Sequence, residues 1–111
     1  MGAIAAVPNI PEALLEVIEP DNTRRTVRLA DSPFLIGRGA EAGNHLQLAD
    51  KRISRRCASV AYRDGRFYVE DCGQRHGVFV NGEKVEAPRQ LEDGDTISFG
   101  LADSYQLVFH S

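Results

Sequence analysis

Residues 57–70 read CASVAYRDGRFYVE, two strand-length runs joined by Asp64-Gly65. Asp and Gly both tolerate the positive φ that a two-residue hairpin turn demands, so strands over Cys57–Arg63 and Arg66–Glu70 are expected to fold back on each other. The same grammar extends in both directions. Upstream, Leu14–Ile18 is an apolar run, Pro20-Asp21-Asn22 is a turn cluster, and Val27 and Leu29 alternate with Thr26 and Arg28 over Arg25–Leu29. Phe34–Ile36 is a short buried-strand run that stops at Gly37, and His45–Leu48 alternates. Downstream, Val78–Val80 meets a second tight turn at Asn81-Gly82 before Lys84-Val85. Asp93-Gly94 introduces Thr96–Phe99, and Tyr105, Leu107 and Phe109 share one face of a last strand. Many short strands separated by Gly, Asp and Asn turns, with no helical period, specify an all-β sandwich rather than a parallel α/β sheet.

Between the strands lie three polar stretches without periodicity: 38–44, 49–56 and 71–77. They are expected to be loops, and loops on a rigid scaffold are where binding groups concentrate. The first opens with Gly37-Arg38, the second carries Ser54-Arg55-Arg56-Cys57, and the third leads into Gly77-Val78-Phe79-Val80-Asn81-Gly82. A dianionic phosphate needs several convergent charge-assisted donors, and the planar fork of Arg binds two of its oxygens at once. Arg38 and Arg55 supply such forks. Ser54 supplies a hydroxyl, and its backbone N–H is expected to point into the same concavity. Gly37 allows a sharp turn or close approach to another segment just before Arg38.

Charge supports an anionic ligand of small size. The chain of 111 residues carries a net charge of −3, which speaks against a nucleic acid as its partner. Its basic residues are nevertheless gathered: Lys51, Arg52, Arg55, Arg56, Arg63 and Arg66 face only Asp50 and Asp64 within 50–66, whereas 76–111 is acidic. Arg63 and Arg66, flanking the hairpin turn, read as a solvated strand face. The two cysteines, Cys57 and Cys72, have no zinc-like spacing and are expected to be reduced, half-buried thiols of a cytoplasmic protein. Cys57, beside several basic residues, offers the alternative of a reactive thiolate. Residues 1–12 lack a signal-peptide pattern and read as a flexible leader to a domain over 13–111, with nothing that points to a membrane.

In order, spacing and flanking hydrophobic pattern, these motifs resemble the forkhead-associated (FHA) domain, a phosphothreonine-recognition module, along roughly residues 14–109. The resemblance implies two packed, mainly antiparallel sheets of about eleven strands, with the binding loops at one end. It implies phosphate contacts from Arg38, Ser54 and Arg55, and peptide contacts from Arg75 and His76. Three motif positions depart from the family: Cys57 stands in place of a His that braces the second loop, His76 in place of an Asn that bonds the peptide backbone, and Val78 in place of Thr. A thiol is a weak donor, so a less firmly braced loop is expected beneath Ser54.

No arrangement of His45, His76 and His110 suggests a metal or a catalytic triad, so neither an enzyme nor a cofactor is expected. The expected function is phosphorylation-dependent recognition of a phosphothreonine protein or peptide within a larger protein, with other domains of that parent chain as further partners. The alternative is an assembly domain that keeps the sandwich and binds independently of phosphate.

Overall fold

A computed structural model of the chain describes residues 10–39 and 43–111. It contains eleven strands: β1 Leu14–Ile18, β2 Arg24–Arg28, β3 Phe34–Gly37, β4 Leu46–Gln47, β5 Ala58–Arg63, β6 Arg66–Asp71, β7 Phe79–Val80, β8 Glu83–Lys84, β9 Arg89–Gln90, β10 Thr96–Ser98 and β11 Gln106–His110. None of the described residues is helical. The strands form a six-stranded sheet, β2-β1-β11-β10-β7-β8, and a five-stranded sheet, β4-β3-β5-β6-β9. Pairing is antiparallel throughout except between β3 and β4, which run parallel with Ile36 opposite Leu46.

The hairpin at the centre of the sequence pattern forms as expected. β5 and β6 pair from Ala58↔Asp71 to Arg63↔Arg66, and the turn places Asp64 at φ 52° and Gly65 at φ 82°. Asn81 and Gly82 adopt the same paired positive φ values, 51° and 83°. There the Asn81 side chain also accepts the Thr96 N–H at 2.9 Å and donates to Asp95 at 2.8 Å, fixing the turn against the start of β10.

Alternation decides which side chains enter the core. Leu15 and Val17 of β1, Val60 of β5, Val69 of β6, and Leu107 and Phe109 of β11 are essentially solvent-free, with Phe99 and Ile97 beside them. Each such side chain contributes roughly 1.5–3 kcal/mol by leaving water. β9 has no counterpart in the sequence pattern; Arg89 and Gln90 are held by pairing with Val69 and Tyr68 at the sheet edge. Of the expected leader, residues 1–9 lie outside the described residues, while Ile10 packs against the core. Cys72 departs from expectation. It follows the last β6 residue and is exposed, whereas Cys57 is fully buried.

Candidate functional site

Ile36 is paired with Ala58, and Ala58 with Asp71. The exit of β3, the entry of β5 and the exit of β6 therefore lie side by side, and residues 38–39, 48–57 and 72–78 leave or enter these strands at one end of the five-stranded sheet. The loop of residues 99–105, between β10 and β11, joins them from the other sheet. The Tyr105 hydroxyl accepts the Ala49 N–H at 3.2 Å, and Arg52 donates to the Ala102 carbonyl at 3.3 Å.

Close backbone approach explains Gly37. A Cβ there would fall onto the Arg55 carbonyl oxygen and within 2.9 Å of the Arg56 Cα, so only a glycine lets the first and second loops touch. Arg38 follows, strapped to the second loop twice: its backbone N–H donates to the Ser54 carbonyl at 3.1 Å and its Nε to the Ile53 carbonyl at 3.0 Å. The Nε bond fixes the half-buried guanidinium against the second loop, at the residue before Ser54. Among the described residues its two terminal nitrogens have no hydrogen-bond partner, which leaves their donors for a ligand.

Ser54 departs from expectation in one respect. Its backbone N–H does not face an anion site, because it donates to the Gln74 side-chain oxygen at 2.9 Å. Its hydroxyl accepts the Arg75 N–H at 3.2 Å and lies 3.4 Å from the Gly73 carbonyl, its own acceptor. That last distance is long for an O–H···O bond, so the proton turns to a better acceptor at little cost. Arg55, Arg75 and His76 project from the loops as exposed side chains. Among the described residues, neither Arg38, Arg55 nor Arg75 is paired with a carboxylate. The structure thus gathers the five expected residues on three neighbouring loops.

Two functional supports were not legible in the sequence. Gln74, 5% exposed, donates its amide to the Phe99 carbonyl at 3.1 Å while accepting Ser54, and so ties the second and third loops to the opposite sheet. Asn44, 8% exposed, donates to the Gly39 carbonyl at 3.1 Å and the Arg55 carbonyl at 2.6 Å, joining the first and second loops. These amides supply the bracing that the substitution of Cys57 was expected to weaken. The Cys57 thiol itself donates to the Ile36 carbonyl at 3.3 Å, and burial, reinforced by nearby Cys72, pushes its pKa up to about 12. The reactive-thiolate alternative is excluded by that environment. Val78 is solvent-free and belongs to the core.

Arg52, counted with the basic cluster, is committed elsewhere: its Nε and Nη2 reach the two Asp50 carboxylate oxygens at 3.0 and 2.9 Å. Paired there, with the Ser104 hydroxyl adding a 2.7 Å bond, Asp50 is held well below the usual carboxylate range. Arg63 stacks on the Tyr68 ring at 5.2 Å, on the strand face as expected. His45 accepts the Leu35 N–H at 2.9 Å and stacks on Phe34, which makes it a strand-end acceptor. No described helix is long and apolar enough to cross a membrane.

Residues 34–100 match the family model described as the FHA domain. The chain is 34% identical to the glycogen accumulation regulator GarA of Mycolicibacterium smegmatis over 97% of its own length and 66% of that protein's, and so spans just under two thirds of it. Among solved structures, the crystal structure of the FHA domain of the CT664 protein from Chlamydia trachomatis superposes with a TM-score of 0.77 at 25% identity, covering 90% of this chain and 97% of that one. A further structure, from a structural and functional analysis of phosphothreonine-dependent FHA domain interactions, gives a TM-score of 0.72 at 26% identity, over 88% of this chain and 96% of that one.

Proposed function

The chain belongs to the FHA-domain family, and we propose that its looped end reads phosphothreonine in a partner protein, as a binding module without catalysis of its own. The observation that carries this reading is the Arg38 side chain, anchored through Nε to the Ile53 carbonyl and through its backbone N–H to the Ser54 carbonyl, so that it is fixed to the loop that carries Ser54 and Arg55. A guanidinium already fixed in place loses little conformational freedom when it grips two phosphate oxygens, which is how a preorganised site gains affinity. Arg55 adds charge from the same loop. Arg75 and His76, on the loop that Ser54 clamps, flank the phosphate and meet the peptide. The relationship to a regulator and to a phosphothreonine-dependent domain supports the same reading.

His76 differs from an amide in that its ring nitrogens present donor and acceptor at a different span and orientation. The peptide backbone is therefore held in a register set by this side chain. Gly100 positions it: a Cβ there would strike the His76 carbonyl, so the third loop rests directly on the backbone of the 99–105 loop.

Amide chemical shifts followed during titration test the assignment. A phosphothreonine peptide is expected to move the resonances of Ser54, Arg55, Arg75 and His76, and its unphosphorylated form to leave them in place. Changes confined to a sheet face, with either peptide, would point to a phosphate-independent docking domain.

A further inference from the structure

Among the described residues, three of the four sheet edges are blunted by their shortness. β8, β4 and β9 are two residues long and offer too little backbone for another strand to join. β2 is the long edge: it runs from Arg24 to Arg28 and pairs with β1 along its whole length, from Leu14↔Arg28 to Ile18↔Arg24. Bonds at the two ends of this hairpin fix which backbone groups β1 uses, since the Glu19 N–H donates to the Thr23 carbonyl at 2.8 Å and the Leu29 N–H to the Ala13 carbonyl at 2.9 Å. Hydrogen-bonded pairs alternate along an antiparallel ladder, so Arg25 and Val27 turn their N–H and C=O groups to β1, whereas Arg24, Thr26 and Arg28 turn theirs away from the sheet. The result is a regular row of outward donors and acceptors, the template on which an added strand forms.

Side-chain chemistry decides the occupant. Val27 packs half-buried on the core side, and Arg24, Thr26 and Arg28 stand on the opposite face. Arg24 is bridged to Glu16 and Arg25 to Glu19, yet their side chains remain 59% and 44% exposed. Arg28 is in no ion pair among the described residues, and the strand itself holds no acidic residue. A second copy of β2 is a poor occupant: antiparallel pairing centred on Thr26 sets Arg24 of one copy directly opposite Arg28 of the other, and like charges in that position repel. The same arginines favour a strand that brings carboxylates.

We propose that the β2 edge is a second docking surface, which takes an acidic extended segment of a partner protein as an added strand, independently of phosphate. Backbone hydrogen bonds to Arg24, Thr26 and Arg28 hold the segment, and carboxylates on its alternate residues meet Arg24 and Arg28. These ion pairs lie at the surface, so they select the strand more than they bind it, and they weaken with salt.

Two capped peptides serve as probes, one alternating valine with glutamate and one alternating valine with lysine, and amide hydrogen exchange of the domain is the readout. At saturation the glutamate peptide is expected to slow exchange at Arg24, Thr26 and Arg28 about tenfold or more, because an N–H bonded to a new strand is closed to water, while Arg25 and Val27 stay as protected as before. Thr26→Pro removes the central outward donor and no bond to β1, a substitution that an edge strand tolerates, so it should abolish the protection with the circular dichroism spectrum unchanged. An Arg24→Glu/Arg28→Glu double variant should refuse the glutamate peptide and take the lysine peptide. Protection of the parent by both peptides alike overturns the acidic assignment, and protection by neither overturns the docking surface itself. Self-association of the domain that protects the same three amides without peptide assigns the edge to a second copy and also overturns the proposal. So does a glutamate peptide that shifts Ser54 and Arg55 instead of β2. Neither probe carries phosphate, so each of these failures leaves the phosphothreonine reading standing.

Discussion

Gln74 and Ser54 are locked to each other across two loops. The Gln74 side-chain oxygen accepts the Ser54 N–H at 2.9 Å, and the Ser54 hydroxyl accepts the N–H of Arg75, the next residue after Gln74, at 3.2 Å. The Gln74 amide nitrogen reaches the Phe99 carbonyl of the opposite sheet at 3.1 Å. The serine assigned to the phosphate and the loop assigned to the peptide therefore move as one body, anchored to both sheets.

Replacing Gln74 by Leu keeps the volume but leaves a buried N–H and a buried carbonyl unpaired. Each unpaired group costs about 1–3 kcal/mol, so denaturant unfolding should report a loss of about 2–4 kcal/mol. Phosphopeptide affinity should fall with it, because Ser54 is no longer held. A variant as stable as the parent would mean that water replaces the clamp.

Gly37→Ala should destabilise the domain by about 1–3 kcal/mol, the usual cost of forcing an extra group into packed surroundings. The added methyl meets the Arg55 carbonyl and the Arg56 Cα, which are backbone and cannot rotate away. Thermal unfolding reads the loss. An unchanged midpoint would show that the two loops separate without cost.

The ion pair of Asp50 sets a pH dependence of stability. Hydrogen bonds from Arg52 and Ser104 outweigh desolvation and depress the carboxyl below its unfolded value, which lies near 4. A depressed folded pKa gives stability that is complete above the unfolded value and is lost as the pH falls below it toward the folded one. Asp50→Asn should therefore cost about 1–3 kcal/mol at pH 7, as for hydrogen bonds to a charged group, and less at pH values below about 4. Unfolding of parent and variant at both pH values gives the difference directly. A gap that stays constant into acid would assign the loss to packing instead of charge.

The two thiols should differ in reactivity. Cys72 is exposed, while Cys57 is solvent-free with its pKa raised to about 12 by burial. An aromatic disulfide reagent should modify Cys72 rapidly in the folded domain and Cys57 only after unfolding, because the thiolate is the reacting form. Cys72→Ser should leave no rapidly reacting thiol. Two equally fast thiols in the folded parent would contradict the burial of Cys57.

How far the sequence anticipates this arrangement depends on the range of the interaction. Asp64-Gly65 and Asn81-Gly82 announce their turns because positive φ is a local requirement that few residues meet. Leu14–Ile18 announces β1 because Leu15 and Val17 alternate inward within one run. Arg89–Gln90 announces nothing, since β9 owes its existence to the edge it finds on Val69 and Tyr68. The candidate site divides in the same way. Arg38, Ser54, Arg55, Arg75 and His76 stand out by chemical type and motif, and the structure brings their loops together. Gln74 and Asn44 do not, because their partners lie 20 and 11 residues away and exist only once the loops have folded. The same long-range bond removes the Ser54 N–H from the donors expected for a phosphate.

The most direct test of the account is calorimetric titration of one threonine peptide, phosphorylated and unphosphorylated, into the parent domain and into Arg38→Ala. The parent should bind only the phosphorylated peptide. Arg38→Ala, with its circular dichroism spectrum unchanged, should lose at least about 2 kcal/mol of that binding, roughly thirtyfold, as truncation of a gripping charge partner requires. Equal binding of the two peptides by the parent, or parent-like affinity in Arg38→Ala, would contradict it.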